Sequence, residues 1–177
     1  MEIALVILIL GLLGSATWML SKRSVHAQDG LAQTIHVLDG DTVIVRQGLR
    51  KHTLRLNAID APESDQPWGN TSTAGLVRMI GGKEVKIETH GLDIYKRNIA
   101  SVFVFDEDKQ EWIDVNARML ILGHAWLYPQ FLSTLSKEKQ VEMGRMQKWA
   151  RSREVGLWKA EAPQPPWEWR RNQNKAA

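Results

Sequence analysis

The stretch "VLDGDTVIV", residues 37–45, decides how the chain is read. Asp39 and Asp41 flank Gly40, and a threonine and three β-branched residues follow. Asp-Gly-Asp is turn chemistry, and Val43, Ile44 and Val45 favour a strand. Alone, the stretch is a polar turn feeding a strand. The next strand gives it a second meaning. "KHTLRLNA", residues 51–58, alternates, with Leu54, Leu56 and Ala58 on one side and Thr53, Arg55 and Asn57 on the other. "GLR" at 48–50 is a turn, so the two strands form a hairpin, and Asp41 and Asp60 come to its open end. Glu63 lies just past the bend at Pro62. Three carboxylates at one end of a fold repel one another unless a cation joins them.

Outward from the hairpin the order is regular. "QTIHVL" precedes it as a strand, after a short linker at 28–32. "NTSTAGLVRMIGG" predicts a helix capped near Asn70 and stopped by Gly81 and Gly82. "KEVKIET" alternates as a strand. "NIASVFVF" is nearly continuously apolar, which predicts a strand buried on both faces. "DVNARMLILG" reads as a helix with Asp114 near its start. "STLSKEKQVEMGRMQKWARSREVG" is a longer amphipathic helix closed by glycine, with Trp149 and Trp158 expected in packing. The prolines of "APQPPWEWRR" predict a non-helical tail, with Trp167, Trp169 and Arg170 folding back on the domain and a phosphate contact open to the arginine. Five short strands with helices placed late predict an α+β fold, an OB-fold five-stranded barrel with about three packed helices.

Composition narrows the chemistry. The chain has 177 residues and no cysteine, so a metal must take oxygen or imidazole ligands. The acids of the hairpin have no histidine beside them, which points to Ca²⁺ or Mg²⁺. An EF-hand is excluded, because the loop after Asp39 lacks its glycine at position six and its glutamate at position twelve. The net charge of +3 is too mild to argue nucleic-acid binding by itself. Residues 3–20 carry no charge, which predicts a signal peptide cleaved near "VHA" or an uncleaved membrane anchor, and hence a secreted, periplasmic or membrane-anchored protein. The domain reading is 1–27 leader or anchor, 28–160 barrel domain and 161–177 tail.

The pieces taken together resemble the staphylococcal-nuclease-like (thermonuclease) family. They are "VLDGDTVIV", "LRLNAIDAPE", "QPWG", "GGKEVKIE", "DIYKRNIASVFV", "VNARMLILGHAWLYP", "REVGLW" and "PPWEWRR", spread over residues 33–171 in one order. The resemblance implies a calcium-dependent endonuclease acting on DNA and RNA as a monomer and leaving 3′-phosphate ends. It assigns Asp41, Asp60 and the Ala61 carbonyl to the metal. It makes Glu63 the general base, and Arg55 and Arg97 the phosphate-holding arginines. Tyr95 falls on an aromatic near the nucleotide and Asp39 on a structural acid; apart from the resemblance, Lys96 could add a phosphate contact and Tyr128 a ring on which a base could stack. Lys96 and Ile94 depart from the family pattern, a glycine being frequent at the first. Arg55, on the polar face of its strand, is expected to matter to rate far more than to stability. A nucleic-acid-binding module of the same fold without catalysis is the competing reading, and the complete set of acids and arginines speaks against it.

Overall fold

The computed structural model describes residues 26–176. The segment 3–20, read above as a leader or anchor, lies outside them. Among the described residues no helix is long and apolar enough to cross a membrane. The elements are β1 (Gly30–Val37), β2 (Thr42–Gln47), β3 (Arg50–Leu56), β4 (Ile59–Asp60), α1 (Gly69–Ile80), β5 (Glu84–Leu92), β6 (Asn98–Asp106), β7 (Glu111–Asp114), α2 (Val115–Ile121), β8 (Trp126–Leu127), α3 (Lys137–Ser152) and α4 (Pro166–Ala176). Short 3₁₀ segments cover Pro129–Thr134 and Gly156–Lys159.

Strands β1, β2 and β3 form an antiparallel meander, and β5 and β6 extend it on the far side of β1. The sheet closes where Leu54, Arg55 and Leu56 of β3 pair in parallel with Asn98, Ile99 and Ala100 of β6. This makes a closed five-stranded barrel with helices packed around it, the OB-type fold expected. Strand β7 pairs with the far half of β6, beyond the seam. The barrel is filled by the inward residues of the alternating strands: Val43, Val45, Leu54, Leu56, Val85, Ile87 and Val102 are fully buried. Leu76 and Ile80 of α1, Met119 and Leu120 of α2 and Met143 of α3 join the same core.

Several local expectations change. Ala27, assigned by sequence to the leader, is buried and its N–H donates to Asn98 Oδ1 at 2.8 Å, and β1 begins inside the expected linker. Helix α1 starts at Gly69, after Trp68 in a left-handed conformation (φ 76°), with no side-chain cap; Asn70 is inside it. Helix α2 is capped as read: Asp114 Oδ1 accepts from the Ala117 N–H at 2.9 Å. Helix α3 starts late, where Ser136 Oγ accepts from the Lys139 N–H at 3.2 Å. Strand β6 is buried mainly in its first half, and helix α2 packs on it. Trp158 is buried but Trp149 is about half exposed. The tail contains α4, because Pro166 is its first residue, where proline's missing N–H costs nothing.

Candidate active site

The open end of the β2–β3 hairpin carries the acids. The Leu56 N–H donates to the Asp41 carbonyl at 2.8 Å, and Thr42 pairs with Arg55. After β3 the chain turns sharply at Asn57 and Ala58, with Ala58 left-handed at φ 59°. Buried polar groups hold that turn. The Asn57 N–H donates to the Ala100 carbonyl at 2.8 Å, and Asn116 Nδ2 donates to the Asn57 carbonyl at 2.9 Å. The turn delivers β4, which pairs with β8 so that Asp60 faces Trp126 across the ladder. Asp60 is thereby brought back beside Asp41.

Gly40 makes this approach possible. A Cβ there would stand 2.0 Å from Ser72 Oγ and 2.6 Å from the Ala61 Cβ. Ser72 cannot turn away freely, because it is fully buried and its hydroxyl donates to the His124 carbonyl at 2.7 Å. The turn chemistry of "DGDT" is present too, since Asp39 Oδ1 accepts from the Asp41 N–H at 2.9 Å. The stretch is therefore both a turn and a site. Asp39 braces the loop, and Asp41 turns inward.

Arg55 joins the two aspartates. Its Nη1 lies 3.1 Å from Asp41 Oδ2 and its Nη2 lies 2.7 Å from Asp60 Oδ1. Nη1 also donates to the carbonyls of Leu56 at 3.1 Å and Ile59 at 2.7 Å. Asp41 Oδ2 further accepts the Ala61 N–H at 2.7 Å, and its Oδ1 accepts from Thr42 Oγ1 at 3.0 Å. Arg55 is only 4% exposed, so the polar face of its strand is not a solvated one at this position. Strand alternation puts its side chain opposite Leu54 and Leu56, but the returning β4 turn covers that side.

Around this centre lies a cavity of about 640 Å³. Asp41, Arg55, Asp60, Ala61, Glu63, Arg97, Tyr95 and Tyr128 all line it. Arg97 is held by Asp93: its Nε donates to Asp93 Oδ2 at 2.7 Å, and its own N–H donates to Oδ1 at 2.8 Å. Its Nη1 reaches Thr42 Oγ1 at 3.3 Å, so it leans toward the Asp41 loop. Tyr95 is largely exposed, with the Arg97 guanidinium 5.5 Å from its ring centroid. Tyr128 stacks on Trp167, ring centroids 5.6 Å apart. Lys96 is not among the lining residues. It occupies the tip of the 93–97 turn in a left-handed conformation (φ 62°), where glycine would be unstrained.

Two participants were not legible as such from sequence. Asp93 clamps Arg97. Arg170, from α4, bridges Asp60 Oδ2 (2.9 Å) and Glu63 Oε1 (2.6 Å). The signal for Arg170 was present: Trp167 and Arg170 are three apart, hence neighbours on one helical face once Pro166 is read as a first helical residue. Burial acts against the charge on Arg170, but its hydrogen bonds to Asp60 and Glu63 more than offset this and raise its pKa further.

The acids are crowded and desolvated. Burial, then repulsion from Asp41, pushes the Asp60 carboxyl up to about 6 despite its two arginines. The same two causes raise Asp39 to about 6. Negative charge is thus incompletely compensated at this end of the barrel, which suits a cation. Among the described residues no group of three or more His, Asp or Glu side chains is arranged to hold a metal ion. An ion here would draw on two carboxylates, backbone carbonyl oxygen and water. That all-oxygen set fits Ca²⁺, which accepts carbonyls and waters readily.

Residues 53–160, more than half of the chain, match the family described as staphylococcal nuclease homologue. The chain belongs to that family. It is 37% identical over 127 residues to the "Probable staphylococcal-like nuclease CAN2" of Oryza sativa subsp. japonica, covering 72% of this chain and 31% of the rice protein. It thus spans about a third of the length of that plant relative. Two bacterial relatives are matched over most of their length. An "Uncharacterized endonuclease" of Escherichia coli O157:H7 is 31% identical over 154 residues, 87% of this chain and 90% of that one. The "Micrococcal nuclease" of Shigella flexneri is 30% identical over 151 residues, 84% of each chain. The staphylococcal nuclease homologue match ends at residue 160, before α4 begins.

Proposed function

We propose that the protein is a calcium-dependent endonuclease that hydrolyses phosphodiester bonds of DNA and RNA and leaves 3′-phosphate ends. The observation that carries this reading is the convergence of Asp41, Asp60, Glu63, Arg55 and Arg97 on one open cavity. The family and the bacterial nuclease relatives support it. Asp41, Asp60 and the Ala61 carbonyl would hold the ion, which when bound supplies positive charge at the phosphate and an oriented water. The chain's own groups do the rest. Glu63 accepts the proton of the attacking water. The water oxygen bonds to phosphorus as the bond to the 5′ oxygen breaks, and that oxygen takes up a proton. Arg97 offers paired N–H donors to the phosphate oxygens. Arg55 fixes the spacing of Asp41 and Asp60 and lends charge from the cavity floor. Tyr95 and Tyr128 present ring faces for bases to stack on.

All of these groups come from one chain, and the reading is of a monomer. The apolar segment 3–20 is read as a leader for export or as a membrane anchor. The deciding experiment incubates purified protein with plasmid DNA or RNA, with calcium or with chelator, and identifies the ends produced. Calcium-dependent cleavage with 3′-phosphate ends is expected. Binding without cleavage would favour the non-catalytic module, and neither binding nor cleavage would overturn both.

A further inference from the structure

A third arginine reaches the cavity, and the barrel does not supply it. Arg170 stands on α4, 107 residues after Glu63. Its helix is docked independently of that arginine. The Trp167 ring lies against Tyr128 at 5.6 Å and edge-on to Trp126 at 5.9 Å between centroids. Gln66 Nε2 donates to the Gln164 carbonyl at 2.7 Å, just before the helix, and Trp169 Nε1 donates to Asp65 Oδ1 at 3.3 Å. Both Gln66 and Asp65 belong to the loop that carries Glu63. A lone exposed ion pair fastens a tail weakly; ring packing and these two bonds fasten this one.

The guanidinium divides its donors between two acids. Nη2 meets Asp60 Oδ2 at 2.9 Å and Nη1 meets Glu63 Oε1 at 2.6 Å, while Asp60 Oδ1 is held by Arg55 at 2.7 Å with a longer 3.4 Å contact from Arg170 Nη1. The Glu63 side chain takes this bond at Oε1 and is still 36% exposed where it lines the cavity. We infer that Arg170 is a positioning residue for Glu63: it ties one carboxylate oxygen to the Asp60 frame and leaves the other to accept a proton. The inference rests on the nuclease reading. It makes α4, which lies beyond the family match, part of the working site.

The test compares wild type, Arg170→Ala and Arg170→Lys as full chains. Turnover, calcium affinity by calorimetry and the unfolding midpoint are each measured. Arg170→Ala should lower kcat by about a hundredfold, the scale of a misplaced catalytic group, with KM little changed. Its unfolding midpoint should stay near wild type. Its calcium affinity should not fall, because Asp60 loses a cation that competes for its oxygens. Lysine should restore turnover only in part, since one ammonium cannot span both acids as a planar fork does. Unchanged kcat, or a raised KM with kcat kept, would overturn the positioning role. So would a fall in stability large enough to explain the lost turnover. A wild type that cleaves nothing would overturn the nuclease reading and this inference with it. A cleaving wild type with an equally active Arg170→Ala would overturn this inference alone.

Discussion

Arg55 and Asp60, five residues apart in the chain, face each other across a sharp turn with Nη2 and Oδ1 2.7 Å apart, and both side chains are almost wholly buried. The pair closes the loop that follows β3, and Asp41 completes it from the loop just before β2. A buried arginine with two carboxylates and two carbonyls as partners is part of the fold as well as of the site.

Replacing Arg55 with alanine should therefore cost about 3–5 kcal/mol of stability, because two buried carboxylates lose their common partner. This reverses the expectation drawn from strand alternation alone. Denaturant unfolding of Arg55→Ala gives the number. A loss under about 0.5 kcal/mol, the ordinary surface value, would contradict the buried knot.

Asp41→Asn and Asp60→Asn should each weaken calcium binding by at least about tenfold, since each removes one of two carboxylates available to a hard cation. Calorimetry on the two variants measures this directly. Wild-type affinity in both would show that the ion sits elsewhere.

The hairpin, the shared end of Asp41 and Asp60, and the helix over Val115–Ile121 are legible because alternation and capping are local signals. Alternation misplaces Arg55 because the environment of that side chain is made by β4, which returns only after the Ala58 turn and pairs with a strand at residue 126. A strand's period gives the direction of a side chain and not what covers it. Helix α4 hides from a reading of proline as a breaker, since the first helical position has no N–H to satisfy. Trp68 precedes α1 with a left-handed backbone, for which tryptophan carries no sequence signal. Asp93 acts through a turn geometry that leaves no periodic trace, and the helical spacing of Trp167 and Arg170 shows only once Pro166 is read as a first helical residue.

Gly40→Ala should destabilise the protein by about 1–3 kcal/mol, the cost of forcing a methyl into filled space. The contacts it would meet are the Ser72 hydroxyl and the Ala61 Cβ, both in the packed interior. Thermal or denaturant unfolding reads the effect. A neutral result would mean that α1 can retreat from the loop at no cost.

His124 gives a pH dependence of defined sign. Burial, and then the nearby Arg78 charge, lower its pKa below 6.5, and Trp68 Nε1 donates to its Nδ1 at 3.4 Å, which requires the neutral ring. The unfolded state therefore binds the proton more readily. The stability that His124 contributes is complete above about pH 6.5 and is lost as pH falls through that value toward the folded pKa. Unfolding of wild type and His124→Gln at pH 7.5 and pH 5 isolates this contribution from the raised acids Asp39 and Asp60, which both variants share. The gap between the two proteins should narrow on acidification. A constant gap would show that the histidine does not contribute to the pH dependence.

The parallel seam between β3 and β6 has a consequence for timing. Arg55 is paired within it, opposite Ile99, and Arg97 stands one residue before it begins. The strands that meet there are separated by the whole of α1 and β5, so the seam is a long-range contact whose loop-closure entropy must be overcome before it gains anything. A chain that has formed only the β2–β3 hairpin holds Asp41 and Arg55 but has not yet brought Arg97 to them. Assembly of the site and closure of the barrel are then one kinetic event, so a partly folded chain does not yet hold the complete cavity.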